Sequence, residues 1–190
     1  GIGTFEVVVT QAPIQSIITN ENLCLLDAYL LNTKDVEALT GQNPTVIVSY
    51  FNTFDNAKDN ILEINKNTPL PLTTGTRTIF ARLFDTLTQC FTIVNFNISV
   101  FQNPIIIQPS PIRLCGDTTA TFNLTSRINQ IVNGNLNYQV SFYANNADVL
   151  ANNPITTPAN YLSASTIIIC KVVDPTNNSC ETFTTLNLEV

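Results

Sequence analysis

Phe183-Thr184-Thr185-Leu186-Asn187-Leu188-Glu189-Val190 alternates residue by residue. Phe183, Thr185, Asn187 and Glu189 fall on one side, and Thr184, Leu186, Leu188 and Val190 on the other. One polar and one apolar face is the pattern of a half-buried antiparallel strand. Residues 91–100 have the same habit and end on Asn97-Ile98-Ser99-Val100, the counterpart of Asn187-Leu188-Glu189-Val190. Reading backwards, the correspondence continues. Asp85…Cys90 matches Asp174…Cys180, Val48-Ser49-Tyr50-Phe51 matches Val140-Ser141-Phe142-Tyr143, and Tyr29-Leu30-Leu31 matches Phe122-Asn123-Leu124. Each copy is led in by a Gln-x-Pro-Ile tetrad, Gln11-Ala12-Pro13-Ile14 and Gln102-Asn103-Pro104-Ile105, with a cysteine 13 residues after the Gln, Cys24 and Cys115. A period of about 90 residues is too long for a solenoid unit and suits a small domain.

Within one period the strand signals dominate. Residues 45–51, 77–84 and 91–100, with their counterparts 139–143, 166–173 and 182–190, are short β-branched and aromatic runs. Asn32–Gly41 and Thr125–Gly134 each read as one short helix, polar at the start and stopped by glycine. A second helical turn is expected over 55–63 and 146–150. The fold class is therefore all-β: two tandem immunoglobulin-like β-sandwich repeats, each with one short helix. The repeats span 11–101 and 102–190. Residues 1–10 read as the closing strand of a preceding repeat, since Thr4-Phe5-Glu6-Val7-Val8-Val9 precedes Gln11 as Asn95–Val100 precedes Gln102. An unpaired edge of that kind could also enter a neighbour's sheet by strand exchange. Pro104, Pro109 and Pro111 make the junction between repeats stiff and extended.

Composition narrows the function. Net charge is -6 with only eight Lys and Arg, which argues against a nucleic-acid partner. No apolar run approaches the roughly 20 residues of a spanning helix, so no membrane insertion is expected in this segment. Thr and Asn supply 26 and 25 of the 190 residues while charged residues are 12%, a surface common among exported β-proteins. There is no His, so neither an ordinary Ser-His or Cys-His nucleophile nor an imidazole base is available, and no enzyme is expected. Asp55, Asp59 and Glu63 read as a solvated face, and neither a cofactor nor a metal site is expected.

The chain has five cysteines. Cys24 with Cys90, and Cys115 with Cys180, give one pair per repeat and read as two intradomain disulfides, the alternative being buried free thiols. A ring of that size is worth roughly 4 kcal/mol in the loop-entropy model. Zinc is disfavoured, as there is neither a CxxC nor a His. Cys170 aligns with Ala81 and reads as a small buried residue. Disulfides imply an oxidising, extracellular setting. Tyr50, Phe51 and Phe54, with Phe142 and Tyr143, could line a sugar platform, although a strand more simply buries one of each adjacent pair.

Cys-x-x-Asp at Cys24–Asp27, an aromatic-x-Leu, a short Gly-ended helix, the Val-Ser-aromatic strand and a cysteine before a closing Leu-x-Leu-x-Val together resemble the tandem repeats of very large Bacteroidetes surface proteins. The nearest in type are gliding-motility adhesins and similar adhesins exported by the type IX secretion system. The resemblance covers both repeats. It implies a cell-surface filament or stalk whose partners are neighbouring repeats and surface polysaccharide. It also implies O-glycosylation at Thr86 and Thr118, in Asp85-Thr86-Leu87 and Asp117-Thr118-Thr119. Leu25-Leu26-Asp27-Ala28 and Gly116-Asp117-Thr118-Thr119 lack most of the acidic stretch such repeats carry after the first Cys, which argues against calcium. A carbohydrate-binding array and a strand-exchange fibre are the competing readings.

Overall fold

A computed structural model describes residues 9–177 and 180–190, which form two compact units divided at Val100 and Phe101. The expected closing strand of a preceding repeat falls almost wholly at residues 1–8, outside the described residues.

In the first unit, β1 (Glu21–Cys24), β2 (Val46–Phe51), β3 (Gly75–Asp85) and β4 (Phe91–Phe101) form a sheet in the order β1-β4-β3-β2. β3 runs antiparallel to both neighbours, pairing Ala81 with Tyr50 on one side and with Val94 on the other. Its odd positions Ile79, Ala81 and Leu83 are buried with Val48, Tyr50, Phe96 and Ile98. The alternation visible in the sequence thus becomes the floor of the core. The roof is irregular. It consists of Tyr29 and Leu31, the short helix α1 (Asp35–Leu39) through Ala38, and Leu70, while Leu23 of β1 and Ile18 of the lead-in pack into the same cluster. The amide of Leu70 donates to the Tyr29 carbonyl at 2.8 Å.

The second unit repeats the plan. β5 (Ile112–Arg113), β7 (Gln139–Tyr143), β9 (Thr166–Asp174) and β10 (Cys180–Glu189) form a sheet in the order β5-β10-β9-β7, with β5 parallel to β10. A two-stranded sheet of β6 (Ala120–Phe122) and β8 (Tyr161–Ser163) lies on its roof side, pairing Phe122 with Tyr161 where the first unit has the Tyr29–Leu70 bond. Both units have the immunoglobulin-like fold.

The short helices lie near where the glycine stops place them. A 3-10 turn over Leu31–Lys34 runs into α1, and another over Leu124–Arg127 runs into α3 (Ile128–Ile131). Each helix is followed by a glycine with left-handed φ, +75° at Gly41 and +78° at Gly134, where a side chain would be strained. The second helical turns are α2 (Phe54–Asp59), capped by the Thr53 hydroxyl, and α4 (Asn146–Leu150), capped by the Asn145 side chain.

A buried cation ties the lead-in chain to the helix. Lys34 is only 2% exposed, and its ammonium reaches Glu21 at 2.5 Å, Glu37 at 2.8 Å and the Thr19 hydroxyl at 2.8 Å. Burial disfavours its charge, but the two carboxylates outweigh that and hold its pKa above the ordinary value. Glu37 accepts from the Lys34 ammonium and from the Thr19 amide, and together these pull its carboxyl down to about 2. In the second unit Arg127 takes the place of Lys34 and donates to the Ser110 and Pro111 carbonyls at 3.1 and 3.0 Å. Because the folded pKa of Glu37 is depressed, its contribution is whole above the ordinary carboxylate range and disappears as pH falls from about 4.5 through about 2. Acid unfolding of the wild-type chain and of Glu37→Gln, followed by circular dichroism, checks this: the variant is expected to be less stable at neutral pH, and the difference should vanish near pH 2.

Candidate functional site

The feature with functional consequence is the placement of the cysteines, and it follows from the path of the lead-in chain. In the first unit, residues 10–20 run alongside β4 in the same direction. The Thr10 hydroxyl lies 3.1 Å from the Cys90 sulfur, the Thr92 hydroxyl donates to the Pro13 carbonyl at 2.6 Å, and the Asn97 amide donates to the Asn20 side chain at 2.8 Å. Cys24 ends β1, four residues past Asn20, and so lies toward the Phe101 end of β4. Cys90 stands immediately before the other end.

The second unit follows the same course. The Asn103 side chain donates to the Glu181 carbonyl, Thr182 donates to the Pro104 carbonyl, and Thr184 donates to Gln108. Ile112 and Arg113 then pair with Leu188 and Glu189, and the Leu114 amide donates to the Glu189 carbonyl at 3.0 Å. Cys115 follows directly, while Cys180 opens β10 at its far end. A ten-residue strand at about 3.3 Å per residue separates the two by about 30 Å. A disulfide needs Cα atoms within about 7 Å.

The expected rings Cys24–Cys90 and Cys115–Cys180 are therefore ruled out by strand geometry. Cys24 and Cys180 are each disulfide-bonded, whereas Cys90, Cys115 and Cys170 carry free thiols. The nearly equal spacing of the two cysteines in each copy reflected the repeat, not a bond. A signal for this was available: the chain from Gln102 to Cys115 and the strand from Cys180 to Val190 are both extended and of similar length. Laid parallel, they carry their cysteines to opposite ends.

Both cysteine-bearing turns are locally fixed. The Cys24 amide donates to the Asp27 carboxylate at 2.6 Å and the Asp27 amide to the Cys24 carbonyl at 2.9 Å, which gives Cys-x-x-Asp a structural role. Cys115 is followed by Gly116, where an added Cβ would meet the Thr119 carbonyl oxygen at 2.7 Å. At the opposite end, the Asp85 amide donates to the Cys90 carbonyl at 3.0 Å. The Asp85 carboxylate accepts from the Leu87 amide, which holds its pKa below the usual value. A small recess of about 140 Å³ lies at this end, lined by residues 11–14, Gly41, Gln42, Asn43 and Asp85. Asp174 plays a similar part before Cys180, accepting from the Thr176 amide and hydroxyl. Cys170 is fully buried opposite Phe142, as Ala81 is opposite Tyr50, and burial pushes its thiol up to about 12.

The aromatic platform is not assembled. Tyr50 and Phe51 are 0% exposed and Phe142 and Tyr143 2%, so both members of each adjacent pair are interior. Tyr50 and Phe142 face the main cores; the Tyr50 hydroxyl donates to Asp35 at 3.0 Å, and burial raises its pKa. Phe51 and Tyr143 lie on the other face of their strands, where α2 packs on β2 and β3 and α4 packs on β7. Those helical turns explain the difference from simple alternation. Phe54 alone is open, 52% exposed and edge-on to Phe80. Exposed aromatics not singled out from the sequence occur elsewhere. Phe91 lies beside the Arg82 guanidinium, and Phe183 lines an apolar groove with Val149 and Ile169. Thr86 and Thr118 are both exposed, in the β3–β4 turn and the β5–β6 loop, with the Thr86 hydroxyl donating to the Thr45 carbonyl at 2.9 Å. Among the described residues no group of three metal-ligating side chains forms, and no helix is long and apolar enough to cross a membrane.

Residues 19–104 and 111–190 each match the family model of the Flavobacterium inter-domain disulphide bond domain. The chain belongs to that family. No curated protein matches the sequence. Among solved structures it is similar to a three-immunoglobulin fragment of titin, an E-to-A variant, at 12% identity and TM-score 0.34, covering 95% of this chain and 66% of that one. It is similar to extracellular domains 3–5 of Drosophila OTK at 10% identity and TM-score 0.38, covering 94% and 59%. It is also similar to a SusE-like surface-located polysaccharide-binding protein from the Bacteroides thetaiotaomicron heparin utilisation locus, at 8% identity and TM-score 0.41, covering 93% and 34%. The chain thus spans no more than 66% of the length of these structures. The family match indicates no catalytic family.

The interior aromatics set a direct test. Tyr50→Ala and Phe142→Ala should each destabilise the chain by roughly 3–5 kcal/mol in denaturant melts, as large-to-small core changes do, while Phe54→Ala stays within about 1 kcal/mol.

Proposed function

We propose that this chain is a segment of a secreted, cell-surface array of immunoglobulin-like repeats in which disulfides join successive repeats, Cys24 of the first repeat to Cys180 of the second. The carrying observation is that each repeat holds its two cysteines at opposite ends of one strand, where they cannot meet each other. The family's inter-domain disulphide agrees with that arrangement. The repeats run 11–101 and 102–190, with 1–10 closing an earlier one.

The physical consequence is mechanical. Two domains joined only by a peptide can bend about that point, whereas a second covalent tie removes most of that freedom. Pro104, Pro109 and Pro111 stiffen the peptide connection further. The segment then acts as a stiff stalk that carries an adhesive surface outward and multiplies weak contacts along its length. A disulfide-bonded chain fits an oxidising, extracellular location. The finer reading, an adhesin of the gliding-motility type exported by type IX secretion with O-glycans at Thr86 and Thr118, rests on the repeat pattern.

Digestion of the natively secreted protein without reductant, followed by mass spectrometry, tests the bond. The Cys24 and Cys180 peptides should travel together. Small-angle X-ray scattering should show a rigid rod that becomes bendable in Cys24→Ser, with circular dichroism unchanged. Linked Cys24–Cys90 or Cys115–Cys180 peptides would overturn the proposal.

A further inference from the structure

We propose that Arg82, with the Phe84 and Phe91 rings beside it, binds the carboxylate of an acidic polysaccharide, one built of hexuronate units. This site would give a ligand to the adhesive surface proposed above, and so rests on that reading, whereas the disulfide-joined array is tested separately by peptide mapping.

The site follows from the register of the first sheet. Even positions of β3 point away from the core that Ile79, Ala81 and Leu83 enter. α2 packs over this outer face at Phe80, whose ring meets Phe54 edge-on. Past Phe80 stand Arg82 and Phe84, with Ser49 and Ile47 opposite them on β2 and with Ile93 and Phe91 opposite them on β4. The Arg82 Cζ lies 4.6 Å from the centre of the Phe84 ring and 4.3 Å from that of Phe91. Ile47 is 51% and Phe91 38% exposed, so the face is open to solvent here.

What the guanidinium lacks is an anion. Its Nε is buried with no hydrogen-bond partner, and among the described residues no carboxylate pairs with it. Partial burial lowers its pKa with nothing to oppose it, whereas Arg113 beside Glu189 is raised. An arginine keeps its charge at neutral pH, so the desolvation is uncompensated until an anion arrives. A cation held against two rings with donors to spare is half of a charge-assisted pair.

The second repeat has the whole pair. Cys170 faces Phe142 as Ala81 faces Tyr50, which makes Lys171 the counterpart of Arg82. In the same register Phe183 stands for Ile93 and Glu181 for Phe91. Lys171 forms an ion pair with Glu181 and lies 6.0 Å from the Phe183 ring centre. The first repeat thus keeps the cation and puts a ring where the carboxylate would be. A hexuronate supplies what is missing: its carboxylate accepts from the guanidinium, and its C–H face lies on the Phe91 ring. An extended peptide fits less well. β3 is already paired on both sides with β2 and β4, so no main-chain edge is free at Arg82 for a strand to join.

Isothermal titration of the full 190-residue chain with oligogalacturonate and oligomannuronate tests this. At least one should bind at millimolar concentration or below. Its methyl ester, which keeps the ring and loses the charge, should bind about tenfold more weakly or not at all, as loss of a charge-assisted hydrogen bond predicts. Arg82→Gln should have the same effect. So should Phe91→Glu, which gives Arg82 the internal partner that Lys171 has, with the fold retained by circular dichroism. Lys171→Gln should leave binding unchanged. The proposal is overturned if neither oligosaccharide binds, if the ester binds equally, or if folded Arg82→Gln or Phe91→Glu binds undiminished. Loss of binding in Lys171→Gln, or equal binding of an oligoglutamate peptide, overturns it too, the latter by making the partner an acidic protein. In every case the Cys24–Cys180 bond stands or falls on its own peptide map.

Discussion

The parallel course of the lead-in segment beside the closing strand is the constraint on which the rest depends. Ile112 opposite Leu188 and Arg113 opposite Glu189 mean that the chain enters and leaves each repeat travelling in the same direction. A domain built this way receives the chain at one end and delivers it at the other. The same geometry puts the first cysteine at the exit and the second at the entrance. Each core therefore closes without a Cys24–Cys90 or Cys115–Cys180 staple.

Each core does so with modest means. The floor is a regular four-stranded sheet, but in the first unit the roof is loops and α1, with the Leu70–Tyr29 bond in place of a strand pair. Such a roof has many backbone groups to satisfy, and side chains substitute for a ladder. Gln42 both accepts from the Ile14 amide and donates to its carbonyl, imitating a strand partner. Lys34 binds Glu21, Glu37 and Thr19 together, and Arg127 does equivalent work on the carbonyls of Ser110 and Pro111. A buried cation is costly unless fully partnered, so these contacts specify where the lead-in chain lies as much as they stabilise it. The lead-in chain fixes where Cys24 and Cys115 end up.

Most of the sheet was legible in the sequence because its signal is local. Alternation at residues 182–190 and β-branched runs at 77–84 and 166–173 depend on the identity of neighbours, and the structure has strands at those places. The helix ends at Gly41 and Gly134 were readable for the same reason. β1 and β5 were not, since each is only a few residues long and is defined by its partner strand. The burial of Phe51 and Tyr143 depends on α2 and α4 covering the second face of β2 and β7, a tertiary fact that period-two reasoning assigns to solvent. Cysteine pairing was the least legible. Cys24 and Cys90, and Cys115 and Cys180, stand at opposite ends of a strand, and spacing along the chain does not reveal that; only strand direction does.

Separating core from cross-link also separates two kinds of failure. In a small domain with its own disulfide, reduction attacks the fold directly. Here the hydrophobic clusters around Tyr50, Ala81 and Phe96, and around Phe142, Cys170 and Leu186, are complete within each repeat. Neither cluster includes Cys24 or Cys180, so neither core is built on a bonded cysteine. The opposed ends of the closing strand keep the two cysteines of one repeat apart. Cys170 is the position where a stray thiol could interfere, and it sits opposite Phe142 with no solvent access. An alanine serves the first repeat at that site, consistent with a role in packing alone.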